Sequence, residues 1–152
     1  MFNGYMRALL QRVSEARVTV DGVITGQISA GLVVFLGVVR TDTKAQAEAV
    51  AQKVTQLRIF SDSVGKMNLS LGDVSGELLI VSQFTLCANM RRGNRPSYSD
   101  AAKAEAAKEL YEYFVGLCRA KGFRVETGTF QARMQVHLIN DGPVTIMYDS
   151  ES

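Results

Sequence analysis

Two short segments of this chain combine residue types that could do chemistry. Ser82-Gln83-Phe84-Thr85-Leu86 places polar side chains at the end of an apolar run, where residues often line a site. Asn140-Asp141-Gly142-Pro143-Val144-Thr145 contains a glycine and one of only two prolines between two strand-like runs. Because Gly142 is conformationally free and Pro143 has no amide proton, such a turn exposes backbone carbonyls. An ordinary Gly-Pro turn fits too, since only about 5 to 6% of X-Pro bonds are cis.

No side chain in these segments has the partners of an activated nucleophile. Ser82 lacks the flanking glycines of a nucleophile elbow, so a hydroxyl bonded to backbone is the simpler interpretation. His137 is the only histidine, and its strand offers no carboxylate to orient it as a general base. Thr145 is internal and has no N-terminal amine to activate it. We therefore expect a hydrogen-bonding or structural role for Thr145.

Metal and disulfide chemistry are not expected. Cys87 and Cys118 lie 31 positions apart, without a CxxC or Cys/His spacing, which favours reduced thiols. Asp141, Asp149 and Glu151 cluster near the C-terminus, but nothing in their spacing makes them converge on one ion. We predict an enzyme without metal or cofactor.

Length and composition indicate one domain over residues 1–152. The chain has 152 residues, is 47% hydrophobic and carries a net charge of +2. No apolar run approaches the roughly 20 residues of a membrane span, and residues 1–7 lack a signal-peptide core, so a cytoplasmic protein is expected. The charge is too small to identify a nucleic-acid binder. Only Arg91, Arg92 and Arg95 cluster; they could contact phosphate, and a solvated basic loop fits them equally well.

The first half of the sequence predicts strands followed by a helix. Ala8 to Val13 and Arg17 to Val20 have strand character, and Asp21-Gly22 predicts a two-residue hairpin turn into Val23 to Thr25. Gly31 to Val39 is an apolar run typical of a central strand buried on both faces. Thr43 and Gln46 form a capping box that begins a helix over about 43 to 57.

The second half predicts a strand, a loop, a helix and two final strands. Leu78 to Leu86 is strand-like, which would place Ser82 and Phe84 on one face and Gln83 and Thr85 on the other. Asn89 to Ser99 is a polar, basic loop. Apolar spacing from Ala104 to Cys118 predicts a second helix that ends near Gly122. Met134 to Ile139 and Val144 to Tyr148 predict two strands around the Gly-Pro turn. Together these elements predict one α+β domain.

Taken together, the two segments resemble the signature motifs of the D-aminoacyl-tRNA deacylase family. The likeness extends over nearly the whole chain from Met6. Two features differ from the family pattern: residues 1–5 look like an N-terminal extension, and His137 occupies a position where the family often has serine. The further segments that carry the resemblance are Met6 to Val13, Arg58 to Asp62, Lys66 to Leu69 and Arg95 to Tyr98.

The resemblance implies a homodimeric hydrolase that removes D-amino acids from the 3′ end of charged tRNA. It implies a single α+β domain with a barrel-like, mainly antiparallel or mixed sheet and two main helices. It also implies that the Gly142-Pro143 bond is cis, that this turn enters the partner's active site, and that its carbonyls hold the substrate's α-amino group. An L side chain would then have no room, while glycine would pass. Asn140 and Arg12 are the further substrate-binding candidates, and Arg91, Arg92 and Arg95 the tRNA-binding ones.

The expected mechanism uses little side-chain chemistry. An aminoacyl ester is already activated, and its neighbouring ribose 2′-hydroxyl can assist water, so the protein supplies positioning and an oxyanion partner. The backbone amides around Gln83 and Phe84 are the candidates for that partner. The predicted catalytic residues are Ser82, Gln83, Phe84, Thr85 and Thr145.

Two other functions remain open at this point. A non-catalytic nucleic-acid-binding module of the same fold would use the arginines of the Asn89 to Ser99 loop. A small-molecule esterase would hydrolyse simple D-amino-acid esters as fast as charged tRNA.

Overall fold

The computed structural model describes residues 5–151, so the predicted extension over residues 1–5 falls, except for Tyr5, outside the described residues. Eight strands, two α-helices and a short 3₁₀ helix follow one another along the chain. In order they are β1 (Arg7–Val20), β2 (Val23–Ile28), β3 (Gly31–Gly37), α1 (Lys44–Gln56), β4 (Phe60–Ser61), β5 (Met67–Leu69), β6 (Glu77–Ser82), the 3₁₀ helix (Phe84–Cys87), α2 (Ala104–Ala120), β7 (Val125–Thr127) and β8 (Gln135–Asp149).

The predicted hairpin between β1 and β2 is confirmed. Asp21 and Gly22 have φ of 50° and 77°, the left-handed values that a tight hairpin turn requires, and Val20 pairs with Val23 across them. The prediction of two separate first strands was wrong, because β1 is one continuous strand. It changes partner along its length: Arg7–Val13 pairs with β3, and Ala16–Val20 pairs with β2.

The main sheet is mixed and nearly closes into a barrel. Its order is β2-β1-β3-β6-β7, with β8 along the other edge of β1. The β3–β6 and β6–β7 pairs are parallel and the pairs made by β1 are antiparallel. At the closing side Gly26 packs against the backbone of Thr127, where a side chain would not fit. The predicted single α+β domain with a barrel-like sheet is confirmed.

Core packing explains why β3 and β6 have almost unbroken apolar sequences. Alternate residues, such as Leu32 and Ile80, pack with the two helices in the larger hydrophobic cluster. Their neighbours, such as Val33 and Leu79, pack in a second cluster inside the sheet. Both faces of these strands are therefore buried, as predicted for Gly31 to Val39.

Both helices occur where the sequence predicts them. Thr43 and Gln46 form the complete capping box at the start of α1. Gly122, with φ of 94°, follows the end of α2. Within the described part of the chain, neither helix is long and apolar enough to cross a membrane.

The end of β6 differs from the prediction. The strand stops at Ser82 instead of running to Leu86, and Phe84–Cys87 turns into the 3₁₀ helix. The predicted alternation of Ser82 and Phe84 against Gln83 and Thr85 is therefore wrong, because a 3₁₀ turn does not have the two-residue period of a strand.

Candidate active site

A cavity of about 540 Å³ opens at the end of β6. Its volume is within the range of sites for small molecules. Ser82, Gln83 and Phe84 form one wall. The remaining walls are mostly apolar, from residues at the start of α2 and in the segment before β8, among them Ala104, Ala107, Phe130, Ala132 and Met134. The structure thus brings three of the predicted catalytic residues to one concave, largely apolar site.

The 3₁₀ helix is held in place by β1 and β3. Arg7 donates from Nη1 to the carbonyl of Leu86 at 2.7 Å. Gly37 provides the close approach: a Cβ there would lie 3.0 Å from Leu86 Cβ and 3.2 Å from the carbonyl oxygen of Gln83. Arg7 was not among the predicted site residues. Its one signal is a cation directly before the apolar residues Ala8-Leu9-Leu10.

The backbone amides next to the cavity are not equivalent. The amide of Gln83 donates to Leu36 O at 2.8 Å, so it is already used in pairing with β3. Phe84 and Thr85 begin the 3₁₀ helix, where N–H groups have no acceptor within the helix. Of the two amides predicted to stabilise an oxyanion, only that of Phe84 remains a candidate donor. The amide of Thr85 is a second candidate. The Gln83 side chain donates to Thr85 Oγ1 at 2.6 Å.

Cys87 and Tyr111, two titratable residues buried in the fold, are neutral at physiological pH. Burial raises the pKa of the Cys87 thiol to about 11, so it is not a thiolate at neutral pH. The Tyr111 hydroxyl donates to Ile80 O at 2.6 Å, and burial raises its pKa to about 12. His137 is exposed on β8, opposite Arg17 and away from the cavity lining. None of these three supplies an activated nucleophile at Ser82.

Asp42 is a half-buried carboxylate that was not among the predicted site residues. Its Oδ2 accepts a hydrogen bond from the amide of Val39 at 2.8 Å, while Oδ1 is buried without a hydrogen-bond partner. Burial raises its pKa to about 6, against the opposing effects of the Val39 hydrogen bond and of the Arg7 charge. The Asp42 carboxylate therefore lies near Arg7, the residue that holds the 3₁₀ helix.

The second predicted segment does not form a turn between two strands. Residues on both sides of it pair with the same strand, Thr145 with Gln11 and Asn140 with Val13. Asp141–Val144 therefore lies opposite a single residue, Arg12, as an outward bulge in the continuous strand β8; we call this segment the Gly-Pro bulge. The Gly142-Pro143 bond is cis, as the family resemblance implies.

Two side chains hold the Gly-Pro bulge in place. Arg12, only 8% exposed, donates from Nε to Asp141 O at 3.0 Å and from Nη1 to Ile59 O at 2.8 Å. Asn140 spans the bulge from the other side, donating from Nδ2 to Arg12 O at 2.9 Å and to Val144 O at 3.0 Å. Asp141, Gly142 and Pro143 remain exposed between these anchors. Both predicted substrate-binding side chains are therefore part of the bulge's support.

The cavity and the Gly-Pro bulge are far apart within one chain. Ser82 pairs with Leu36 and Leu36 with Ala8, whereas the bulge lies opposite Arg12, four positions further along β1. Ser82 on β6 and the bulge on β8 are three strand spacings apart, so strand geometry separates the two places by about 13 Å along the strands and about 14 Å across them. Gly142 and Pro143 are not among the residues that line the cavity. Thr145 lies with the bulge, where its hydroxyl accepts from Gln11 Nε2 at 3.2 Å.

The loop that contains Arg91, Arg92 and Arg95 begins next to the cavity. We call Asn89–Ser99 the basic loop. Its base is closed by two backbone hydrogen bonds between Asn89 and Ser97, of 2.8 and 2.9 Å, and the three arginines are exposed. Across residues 5–151, no group of three or more His, Cys, Asp or Glu side chains is placed to hold a metal ion.

Comparison with known proteins gives a consistent result. Residues 9–149 match the family model described as D-Tyr-tRNA(Tyr) deacylase. The chain is 57% identical over 145 residues to the D-aminoacyl-tRNA deacylase of Anaeromyxobacter dehalogenans, covering 95% of this chain and 97% of that protein. It is 58% identical over 146 residues to the D-aminoacyl-tRNA deacylase of Koribacter versatilis, covering 96% and 98%.

Two solved structures have the same fold. One, described as c-Myc DNA unwinding element binding protein, superposes with a TM-score of 0.88 at 40% identity and covers 93% of this chain and 97% of its own. Another, described as a probable eukaryotic D-amino acid tRNA deacylase, has a TM-score of 0.84 at 19% identity and covers 95% and 99%. The family model and the bacterial relatives cover nearly the whole chain, which is therefore a member of the D-Tyr-tRNA(Tyr) deacylase family and, as such, a hydrolase.

Proposed function

We propose that this protein hydrolyses the ester bond of D-aminoacyl-tRNA and spares L-aminoacyl-tRNA. The names of its bacterial relatives support the substrate class, since they are D-aminoacyl-tRNA deacylases. The observation that carries the proposal is the Gly-Pro bulge, an exposed backbone segment that is anchored by side-chain hydrogen bonds and lies outside the cavity of its own chain. As charged tRNA is the substrate, we propose a cytoplasmic enzyme.

The active site in this proposal is shared between two copies of the chain. The cavity recedes into the fold, while the Gly-Pro bulge projects from a different part of the same chain. In a symmetric dimer each bulge can enter the other copy's cavity, which forms two equivalent sites. Gly142 and Pro143 of one copy then face the Phe84 amide of its partner.

Chiral selection follows from the backbone character of the bulge. The carbonyls of Gly142 and Pro143 accept hydrogen bonds from the substrate's α-amino group. This fixes the position of the substrate's Cα and leaves space for a side chain in one direction only. A D side chain points out of the site, whereas an L side chain would meet the bulge. A wall of backbone does not distinguish one D side chain from another, and it has nothing to exclude glycine. We therefore include glycyl-tRNA among the substrates.

The proposed chemistry rests on positioning and on charge stabilisation. Water attacks the ester with the help of the terminal ribose 2′-hydroxyl, and the amides of Phe84 and Thr85 stabilise the oxyanion. Ser82 and Gln83 shape the cavity wall, and the Gln83–Thr85 hydrogen bond supports the turn of the 3₁₀ helix. The raised pKa of Cys87 and the hydrogen-bonded state of Tyr111 support this choice over a side-chain nucleophile.

Incubation with D-Tyr-tRNA, L-Tyr-tRNA and Gly-tRNA tests the proposal. We expect rapid release of D-tyrosine and glycine and no release of L-tyrosine above the uncatalysed rate. The same D-Tyr-tRNA ending in 2′-deoxyadenosine should be a poor substrate. Equal hydrolysis of the D and L esters would overturn the chiral filter, and full activity on the deoxy substrate would overturn the role of the 2′-hydroxyl.

One observation favours a second candidate function. The structural neighbour at 40% identity is described as binding a DNA element, and the basic loop offers three exposed arginines for phosphate. A non-catalytic binding module would bind tRNA without releasing amino acid from any of the three substrates. A simple esterase would instead hydrolyse D-tyrosine methyl ester as fast as D-Tyr-tRNA.

A further inference from the structure

Two aromatic rings at the mouth of the cavity contact each other and remain exposed. The rings of Phe84 and Tyr98 lie 5.1 Å apart between centroids at an interplanar angle of 67°. Phe84 is 56% exposed and Tyr98 is 39% exposed. Phe84 lines the cavity, so this aromatic pair forms part of its rim. The pair is therefore an exposed aromatic surface beside the cavity, available to a flat apolar group of a ligand.

The aromatic pair and the arginines belong to one ordered structure. Tyr98 follows Ser97, which closes the basic loop through its two backbone hydrogen bonds to Asn89. On the other side of the loop base, the side-chain oxygen of Asn89 accepts a hydrogen bond from the backbone amide of Arg91 at 3.0 Å. The Asn89–Ser97 hydrogen bonds therefore position both the arginines of the loop and the adjoining residue Tyr98.

The basic loop contains an excess of positively charged residues. Residues 89–99 contain three arginines and no acidic residue, whereas the whole chain has 17 basic and 15 acidic residues. Without these three arginines the rest of the chain would be slightly acidic. The net positive charge of the chain therefore depends on the three arginines of this loop.

We propose that Phe84 and Tyr98, together with Arg91, Arg92 and Arg95, bind the unpaired nucleotides that precede the terminal adenosine of tRNA. A base stacks on the exposed aromatic pair while the arginines contact the phosphates. Stacking on protein aromatics requires bases that are not stacked in a duplex, and a basic surface beside aromatics is the usual arrangement for single strands. The inference rests on the proposed function, which places the terminal adenosine in the adjoining cavity.

Substrates of three lengths isolate this contribution. The probes are D-Tyr-tRNA, D-tyrosine on the trinucleotide CCA, and D-tyrosine on adenosine alone. For Tyr98→Ala we expect kcat/KM on the first two to fall about 5- to 100-fold relative to kcat/KM on the adenosine ester, as expected for losing one stacked base. Tyr98→Phe, which keeps the ring, should restore the wild-type ratio.

The arginines are tested by salt dependence. Arg91→Ala combined with Arg92→Ala should weaken the dependence of KM for D-Tyr-tRNA on salt concentration, because fewer phosphates are neutralised. Lys121→Ala is the matched control: it removes an exposed cation at the far end of α2, roughly 25 Å from the helix start that lines the cavity. Its salt dependence should equal that of the wild type.

The outcomes separate this inference from the proposed function. If the wild type hydrolyses none of the three substrates, the proposed function fails. If it hydrolyses all three but Tyr98→Ala leaves their relative kcat/KM values unchanged, the stacking site fails and the deacylase proposal stands. An unaltered salt dependence in the double arginine variant would show that Arg91 and Arg92 do not contact phosphate.

Discussion

The two halves of the proposed site are both anchored by arginines of β1, yet they are built differently. Arg7 holds the 3₁₀ helix at the cavity through Leu86 O, and Arg12 holds the Gly-Pro bulge through Asp141 O. The cavity half also rests on the packed core of β3, β6 and α2. The bulge half projects from a strand, with exposed residues between its two anchoring side chains.

This difference predicts unequal sensitivity to mutation. Packing against many neighbours distributes the support of the cavity half, so the loss of one hydrogen bond should shift it little. The bulge depends on a few hydrogen bonds, and each of them fixes several exposed atoms. One half is recessed and the other is exposed on the surface of the chain.

The largest effect should come from Arg12→Ala. This change removes the buried guanidinium that links Asp141 O to Ile59 O and leaves both carbonyls without that donor. We expect kcat/KM on D-Tyr-tRNA to fall about 100-fold, since displacements of about 1 Å can have effects of that size. Arg12→Lys should restore little, because an ammonium lacks the planar fork that reaches both segments. A folded Arg12→Ala protein with activity within threefold of wild type would contradict the importance of the anchor.

A smaller loss is expected for Arg7→Ala. The carbonyl of Leu86 would lose its donor, but close packing on Gly37 would still locate the 3₁₀ helix. We expect about a tenfold decrease in kcat with little change in KM, because the amides of Phe84 and Thr85 would be less well aligned with the oxyanion. Arg17→Ala, on the same strand, is the control. A loss as large as that of Arg12→Ala would mean that the two halves do not differ in the way described.

Thr85→Ala and Thr145→Ala should both retain substantial activity, with kcat within about tenfold of wild type. Each hydroxyl accepts a hydrogen bond from a glutamine side chain, Gln83 for Thr85 and Gln11 for Thr145, and neither has a base to activate it. Single-turnover hydrolysis of D-Tyr-tRNA gives the relevant rate. Complete loss of hydrolysis in Thr145→Ala, with fold and tRNA binding intact, would make that residue catalytic.

The smallest expected effect concerns stability on the cavity side. Because the pKa of Asp42 is raised from 3.8 to about 6 in the folded state, the folded protein binds more protons than the unfolded chain between these values. The free energy of unfolding should therefore fall as pH rises from about 4 to about 6. Asp42→Asn keeps an oxygen that can accept from Val39, so it should weaken this fall. Thermal unfolding of both proteins at pH 4.5 and 7.5 measures the difference; parallel changes in the two proteins would contradict it.

Local patterns in the sequence were sufficient to predict most of the fold. The Asp21-Gly22 turn, the Thr43/Gln46 capping box and the apolar run of β3 each depend on interactions between near neighbours or on burial of both strand faces. These signals do not need knowledge of distant parts of the chain, which explains why they succeeded.

The errors occurred where distant contacts decide the local structure. Gln83 leaves the strand because its turn packs on Gly37, and β8 continues past Pro143 because both of its halves pair with β1. Nothing near Pro143 in the sequence reveals that shared partner. The family resemblance indicated both segments of the site. The hydrogen bonds that hold them, from Arg7 to Leu86 O and from Arg12 to Ile59 O, depend on how β1 packs against distant segments.

The most direct test of a site shared between two copies is complementation between two inactive variants. Ala132→Trp fills the cavity with a bulky side chain, and Arg12→Ala releases the Gly-Pro bulge. When the two variants are co-expressed with different tags and mixed dimers form at random, one site in each mixed dimer combines an intact cavity with an intact bulge. If the site is shared, about one quarter of wild-type activity on D-Tyr-tRNA should be recovered, because half of the dimers are mixed and one of their two sites is intact. Mixed dimers that remain as inactive as either variant alone would contradict it.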